Sequence, residues 1–469
     1  MLLVISVVIT GGIYLVISFH LRSSAQPSLD QFYSNITSLT GACTGVNNGS
    51  ISHAGHIGLK GDTPEKPKRS FFWYFEAENN AKDAPVILST GGGPGTSGLM
   101  NALSGQSPCI ISENGTEPNP NRWTEHLNMI FLDHPIGAGY SYGTRVNNSH
   151  DAALDVYDFL QKFFRIYPHL SRNKFILAGG SYGGIYIPNT ASVIHRENNA
   201  IAAGTGLPGT IPINLESMMV SNPFTDPLAH FSWLLQYRCV EKNVYNSSTC
   251  TELYSVLPTC LESIRIAYAI PSIENRVEAR SLCSKRLGTA STHGTVLEDV
   301  RRHCDDPSNV EVCHPLFSWM GKFFNNAGTK QALGIPPHVN FTALSPEVFQ
   351  EFAGDMIQQH QLLYEPLLKD GIRLLHYVGA QDANCAWPGV FSFLKSLRSP
   401  YQKQFLETPD LPSPSLPNVT FRVVGGGAGN MTFALVADAG HFVVKDQPVL
   451  VKSIVEHWVF NQSFFEDMA

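Results

Sequence analysis

The chain has 469 residues, 43% of them hydrophobic and only 15% charged, with 32 Lys and Arg against 39 Asp and Glu for a net charge of −7. That apolar content excludes disorder as the overall state, and the absence of a basic run or net positive charge excludes a phosphate-neutralising nucleic-acid surface. An average chain carries about 25% charged residues, so this surface needs another source of polarity.

Residues Met1 to Phe19 are almost wholly apolar and lead into His20-Leu21-Arg22-Ser23-Ser24-Ala25. The small residues ending at Ala25 predict a signal peptide over 1–25, cleaved before Gln26. Arg22 follows the apolar stretch instead of preceding it, so an uncleaved anchor is the alternative, since about 20 apolar residues can span a bilayer. Membrane attachment is expected only in that case. Asn-X-Ser/Thr sequons at Asn35, Asn48, Asn114, Asn147, Asn246, Asn340, Asn418, Asn430 and Asn461 fit the secretory route. N-linked glycans there would supply the missing polarity.

From Ser70 the pattern alternates strand and helix. Ser70–Phe75, Pro85–Leu88 and Met129–Asp133 read as strands. Ala153, Val156, Tyr157, Leu160, Phe163 and Phe164 share one face of a helix, and Phe175–Ala178 is the next strand. The alternation predicts a mostly parallel central sheet flanked by helices, with a first core part over 26–226. From Asp226-Pro227 to about Pro336 the chain is Cys-dense and helix-leaning, which predicts a cap insertion over 227–336. The second core part, 337–469, brings strands at Arg373–Val378, Val419–Val424 and Thr432–Val436, and a helix from Pro448 to Val459. Pro400–Pro417 reads as a surface loop. Of the nine cysteines, six lie between Cys239 and Cys313. In an oxidising compartment they predict disulfides, and without a CxxC pair or an HExxH helix no metal site is expected. Cys385 is the outlier by position.

The strongest chemical signal is Gly179-Gly180-Ser181-Tyr182-Gly183-Gly184, directly after a strand and before a helix. It matches the strand–turn–helix setting that exposes a nucleophilic serine. An ordinary glycine-rich βα turn is the bland alternative. Two later strand ends favour catalysis: one leads to Asp382, the other to His441, in the order Ser…Asp…His of α/β-hydrolases. Asp438 is the internal rival, too close to His441 to orient its ring naturally. Thr90-Gly91-Gly92-Gly93-Pro94-Gly95 reads as an oxyanion loop, with the Gly93 and Tyr182 N–H groups as donors. Gly93-x-Gly95-x-x-Gly98 is also a formal dinucleotide fingerprint, with Glu113 following. Pro94 inside the loop and the secretory context argue against it, and no cofactor is predicted.

At these residues the chain resembles the serine carboxypeptidase family, most of all its fungal members. The motifs are Phe71 to Ala77, Gly92-Gly93-Pro94-Gly95, Phe131 to Gly137, Gly179 to Gly184 with Tyr186 and Pro188, Asp382 to Trp387, and Ala439-Gly440-His441. The resemblance implies an α/β-hydrolase fold with a disulfide-bonded, largely helical cap and secreted or vacuolar residence. It implies Ser181 as nucleophile, His441 as general base and acid, and Asp382 as its orienter. Taken with the resemblance, the cysteines pair as Cys43–Cys109, Cys239–Cys250, Cys260–Cys283 and Cys304–Cys313, with Cys385 free near the substrate.

The family reads a peptide's terminal carboxylate through a Trp-x-Asn-Gly-Gly-Pro stretch and two glutamates that share a proton. Here the Trp position is Ser89 and the Asn position is Gly91. One glutamate is Gly180 and the other, counted without gaps, is Gly105, with Ser104 and Gln106 beside it. Gly91, Gly92, Gly180 and Cys385 are the expected substrate-binding residues. The expected activity is release of C-terminal amino acids from peptides through an acyl-enzyme. The alternative is a related acyltransferase or esterase acting on a small-molecule ester or amide, in which case a small acyl compound replaces the peptide substrate.

Overall fold

The computed structural model describes residues 32–38, 42–43, 51–288, 290–306 and 309–466. The N-terminal apolar segment, its cleavage site and the sequon at Asn48 lie outside them. A twelve-stranded sheet organises the described residues. Its longer strands are β1 (Ser34–Ser38), β2 (Ser52–Gly58), β3 (Lys68–Phe75), β4 (Val86–Thr90), β5 (Asn128–Leu132), β6 (Phe175–Gly180), β7 (Leu215–Ser221), β8 (Arg373–Gly379), β9 (Val419–Val424) and β10 (Met431–Val436). The spatial order is β1-β2-β3-β5-β4-β6-β7-β8-β10-β9. From β5 to β10 the strands run parallel, and the flanks are antiparallel.

The strand sequences explain why both faces are covered. In β3, Phe71, Trp73 and Phe75 enter one core while Phe72 and Tyr74 enter the other, as side chains alternate along a strand. Helix α1 (Ser149–Ile166) packs Val156, Phe159, Leu160 and Phe163 on the second face. It opens at Asn148, whose side chain accepts from the Asp151 N–H, and ends ahead of Tyr167-Pro168. Helix α2 (Gly183–Ala202) joins it there, and α3 (Pro448–Val459) covers the opposite face with Val451, Ile454, Val455 and Trp458.

Three departures from the sequence reading have physical causes. Strand β7 goes unrecognised because Leu-Glu-Ser precedes its short Met-Met-Val run. Its polar residues meet distant partners: Glu216 pairs with Arg373 on β8 at 2.7 Å, and Ser217 Oγ accepts from Trp458 Nε1 at 3.1 Å. The expected loop Pro400–Pro417 contains a helix at Gln402–Glu407 anchored by buried Phe405, and Leu411–Pro412 pairs with the edge of β9. Between β7 and β8 the helices include Pro227–Leu235, Ser247–Ala269 and Pro315–Asn325, but also a small hairpin, Thr295–Val296 with Asp299–His303. The disulfides are Cys43–Cys109, Cys239–Cys250, Cys260–Cys283 and Cys304–Cys313, and Cys385 is a buried free thiol. Among the described residues no helix is long and apolar enough to cross a membrane.

Phe163 lies at the centre of the α1 contact, its ring centroid 5.6 Å from Phe72, 5.7 Å from Tyr74 and 4.6 Å from Tyr167. Phe163→Ala is expected to cost about 3–5 kcal/mol of stability, read as a lower denaturant midpoint at an unchanged slope.

Candidate active site

Strand β6 ends in Gly179-Gly180 and α2 starts at Gly183, which leaves Ser181 on the turn at φ 58°. That left-handed conformation is sparsely allowed for a residue with a Cβ and persists only where its surroundings enforce it. Here they do. The Ser181 N–H donates to Ser221 O at 3.0 Å, and Ser181 O accepts from the N–H groups of Gly184 and Phe224, each at 2.9 Å. Ser221 ends β7, so the strand hidden in the sequence fixes the turn. A Cβ at Gly184 would lie 2.7 Å from Phe224 O, which is why this close approach takes glycine.

Asp382 and His441 sit in the loops that follow β8 and β10. The Asp382 carboxylate has no exposed surface and accepts four hydrogen bonds. They come from His441 Nδ1 at 2.7 Å, Asn222 Nδ2 at 2.6 Å, Asn384 N–H at 2.7 Å and Cys385 N–H at 3.0 Å. With Asp382 ionised, this network assigns the proton to His441 Nδ1 and leaves Nε2 as the basic nitrogen. Burial pushes the His441 pKa down, but the charge and hydrogen bond of Asp382, helped by Glu298 and Asp446, hold it above the ordinary 6.5. Asp438 is spent elsewhere, accepting from Asn418 Nδ2 at 3.0 Å. Cys385 Sγ, the Asp382 carboxylate and the His441 ring nitrogen lie within 4.8 Å of one another. Burial first, then the charges of Asp382 and Glu298, push the Cys385 thiol well above its ordinary range, so it stays protonated and unreactive.

The glycine loop after β4 leans on the serine turn. A Cβ at Gly92 would fall 2.7 Å from Ser181 Cβ and 3.0 Å from Tyr182 N. Of the dinucleotide-like glycines, Gly95 packs on Val348 and Gly98 on the Leu132 backbone. The Gly93 and Tyr182 N–H groups donate to no other described residue. Gly91, Gly92, Gly93, Gly180, Ser181 and His441 all line one cavity of about 290 Å³.

The expected second glutamate position lies on a π-helical turn, Ala102–Gln106, with Gly105 at φ 137°. From this turn Gln106 contacts Ser89, the Trp position. Ser89 Oγ–H donates to Gln106 Oε1 at 2.8 Å, and Asn101 Nδ2 donates to Ser89 Oγ at 3.1 Å and to Thr90 O at 2.8 Å. Asn101, Ser104 and Gln106 line the cavity, so neutral polar side chains stand beside Gly105. π-turns of this kind recur at functional sites, but counting residues does not reveal them. Asn222 also escaped the sequence reading; its signal was the Ser-Asn-Pro turn after an unrecognised strand. Glu298 and His314, which line the cavity from the segment between β7 and β8, had no signal of their own.

A serine on a strained strand-to-helix turn, over a buried Asp–His pair at the end of a parallel sheet, defines a serine hydrolase of α/β-hydrolase fold. A family model described as serine carboxypeptidase matches residues 46–461. Carboxypeptidase Y homolog A from Sclerotinia sclerotiorum is 32% identical over 412 residues, covering 85% of this chain and 71% of that one. A vacuolar serine-type carboxypeptidase of Saccharomyces cerevisiae is 30% identical, covering 86% and 78%. The solved structure of a prohormone-processing carboxypeptidase from Saccharomyces cerevisiae has a TM-score of 0.76 at 23% identity, covering 90% of this chain and 94% of that one. This last likeness is one of fold. The chain belongs to the serine carboxypeptidase family and is a serine-type carboxypeptidase.

Asn222 bridges two loops, since its Oδ1 also accepts the Gly379 N–H at 3.2 Å. Asn222→Leu removes one donor from a buried carboxylate and is expected to cost about 1–3 kcal/mol of stability. Chemical denaturation reads the loss, and fluorophosphonate labelling of Ser181 is expected to slow in the same variant.

Proposed function

We propose that the protein releases the C-terminal amino acid of a peptide by acyl transfer through Ser181. The observation that carries this is His441, held by the buried Asp382, lining one cavity with the strained serine. His441 Nε2 takes the proton as Ser181 Oγ attacks the last peptide carbonyl, and the Gly93 and Tyr182 N–H groups receive the developing oxyanion. The tetrahedral adduct collapses as His441 passes its proton to the leaving nitrogen, which frees the amino acid. Water, deprotonated by His441, then attacks the acyl ester, and the shortened peptide leaves with Ser181 restored. Gln106 Nε2, with Gln106 Oε1 held by the Ser89 hydroxyl, reads the terminal carboxylate as a neutral donor. Peptide hydrolysis uses both the triad and this donor, and nothing in the cavity favours the small-molecule acyl-transfer alternative over it.

A secretory route to the vacuole or the exterior goes with this activity. It is supported by four disulfides and by sequons on exposed surface at Asn35, Asn114, Asn147, Asn246, Asn340, Asn418 and Asn461. N-linked glycans at these positions supply the polarity that charge does not.

Ser181→Ala is expected to abolish both release of amino acids from blocked dipeptides and fluorophosphonate labelling while leaving the circular dichroism unchanged. Because the His441 pKa is raised, kcat/KM should climb with pH through a midpoint above 6.5. An optimum below pH 5 contradicts the assignment. Gln106→Glu puts a titrating carboxylate beside the substrate's own. About tenfold or more of kcat/KM should be lost at pH 7, less at acid pH where the new group is protonated; a loss of equal size at every pH argues against Gln106 as the reader.

A further inference from the structure

A second cleft, of about 250 Å³, shares no lining residue with the catalytic cavity. One wall belongs to the stretch after β5 and includes Gly137, Gly139 and Gly143. A Cβ at Gly139 would fall 2.0 Å from the Asp133 carboxylate, so this wall stays bare backbone. The other wall includes Asn340 and Thr342, the first and third residues of the sequon Asn340-Phe341-Thr342. The Gly139 N–H donates to Thr342 O at 3.0 Å and the Thr342 N–H to Gly139 O at 3.2 Å, which pins the sequon to the glycine wall. Phe341 between them is buried, its ring centroid 4.6 Å from Phe324.

Asn340 is exposed, and its neighbours orient its amide. Lys330 Nζ donates to Asn340 Oδ1 at 3.3 Å and to Pro337 O at 2.8 Å. Asn340 Nδ2, the atom that carries an N-linked sugar, donates to no other described residue. Other sequons differ, since Asn35 Nδ2 donates to Gly334 O at 3.3 Å and Asn418 Nδ2 to Asp438 Oδ2 at 3.0 Å. The cleft beside Asn340 is also preformed. Tyr142 is held by Arg69, whose Nη1 donates to its hydroxyl at 3.0 Å, and its ring meets that of His338 edge-on at 5.9 Å. Arg145 is held by Glu351 at 2.7 Å. A sugar ring has an apolar C–H face and a rim of hydroxyl and acetamido groups. Aromatic carbon covers the first, and fixed N–H donors with bare backbone meet the second. The volume is below the roughly 300–1,000 Å³ of a site for a drug-sized ligand, which leaves room for one ring and not for a chain of them.

We propose that this cleft seats the first N-acetylglucosamine of a glycan on Asn340, so that one sugar is held as part of the fold while the rest of the glycan extends into solvent. The proposal rests on the secretory reading and assigns a structural role to one of its sequons. The segment that carries the sequon continues to the oxyanion loop, where the Ser97 N–H donates to Ala343 O at 2.9 Å and the Ser345 N–H to Gly95 O at 3.0 Å. A sugar that immobilises Asn340–Thr342 braces the backbone on which that loop leans.

The test uses the full chain secreted from a eukaryotic host that builds high-mannose glycans. Glycopeptide mass spectrometry follows each sequon during digestion with endoglycosidase H, which cuts between the first two sugars. In the folded protein the Asn340 glycan is expected to be cut about tenfold or more slowly than those at exposed Asn114 and Asn246, because cleavage waits for the seated sugar to leave its cleft. After denaturation the rates should match. His338→Ala and Arg145→Ser, at exposed positions, should each bring the Asn340 rate toward the controls. Asn340→Gln should lower the thermal midpoint by about 2 °C or more where Asn114→Gln does not, and an unchanged midpoint overturns the bracing. A folded wild-type protein whose Asn340 glycan is cut as fast as the controls, or whose Asn340 is bare while they carry sugar, overturns the proposal without need of a variant. Protection that survives both cleft substitutions overturns the cleft as its seat. Sugar at none of the sequons removes the secretory reading together with the proposal.

Discussion

A carboxylate without exposed surface is the constraint from which the site follows. Burying an ion costs several kcal/mol unless its oxygens are met by donors, and Asp382 has four. They come from three places far apart in the chain: Asn222 after β7, His441 after β10, and the Asp382 loop itself. These segments meet because β6, β7, β8 and β10 are adjacent, parallel and in matched register. Ser221 lies opposite Gly180 and Tyr377, and Val436 lies opposite Gly379. Their carboxyl ends form one row, the place where open α/β sheets bind ligands. The same row strains Ser181, since Ser221 O holds its N–H. Satisfying the buried charge and exposing the nucleophile are thus one structural event.

Much of this was legible in the sequence, for a physical reason. Strands covered on both faces must be apolar on both, so β3, β5, β6 and β8 stand out as runs, and Ser181 and Asp382 sit just past the ends of β6 and β8. The triad and its order could be read from that punctuation alone. What stayed hidden depends on partners remote in sequence. Strand β7 carries Glu216 and Ser217, whose polarity makes sense only beside Arg373 and Trp458. The Gln106 contact with Ser89 is made from a π-turn that spacing along the sequence does not reveal. Glu298 reaches the cavity only because its hairpin docks on the His441 and Asp382 loops.

The neutral cluster near Ser89 goes with a cavity that has no acid at position 180. A Cβ at Gly180 would meet the Ser221 hydroxyl at 2.7 Å, while the Ser221 carbonyl that pins Ser181 would lie at 3.5 Å. Without that acid, a carboxylate at position 106 would have no second carboxyl group with which to share a proton, and would repel the substrate's own terminus. An amide avoids both difficulties. Its desolvation is far cheaper than that of an ion, and its oxygen is met by the Ser89 hydroxyl. The scarcity of charge in the whole chain is in this way reproduced inside the site, where reading the substrate terminus falls to dipoles and the formal charge is kept for the triad and the cap.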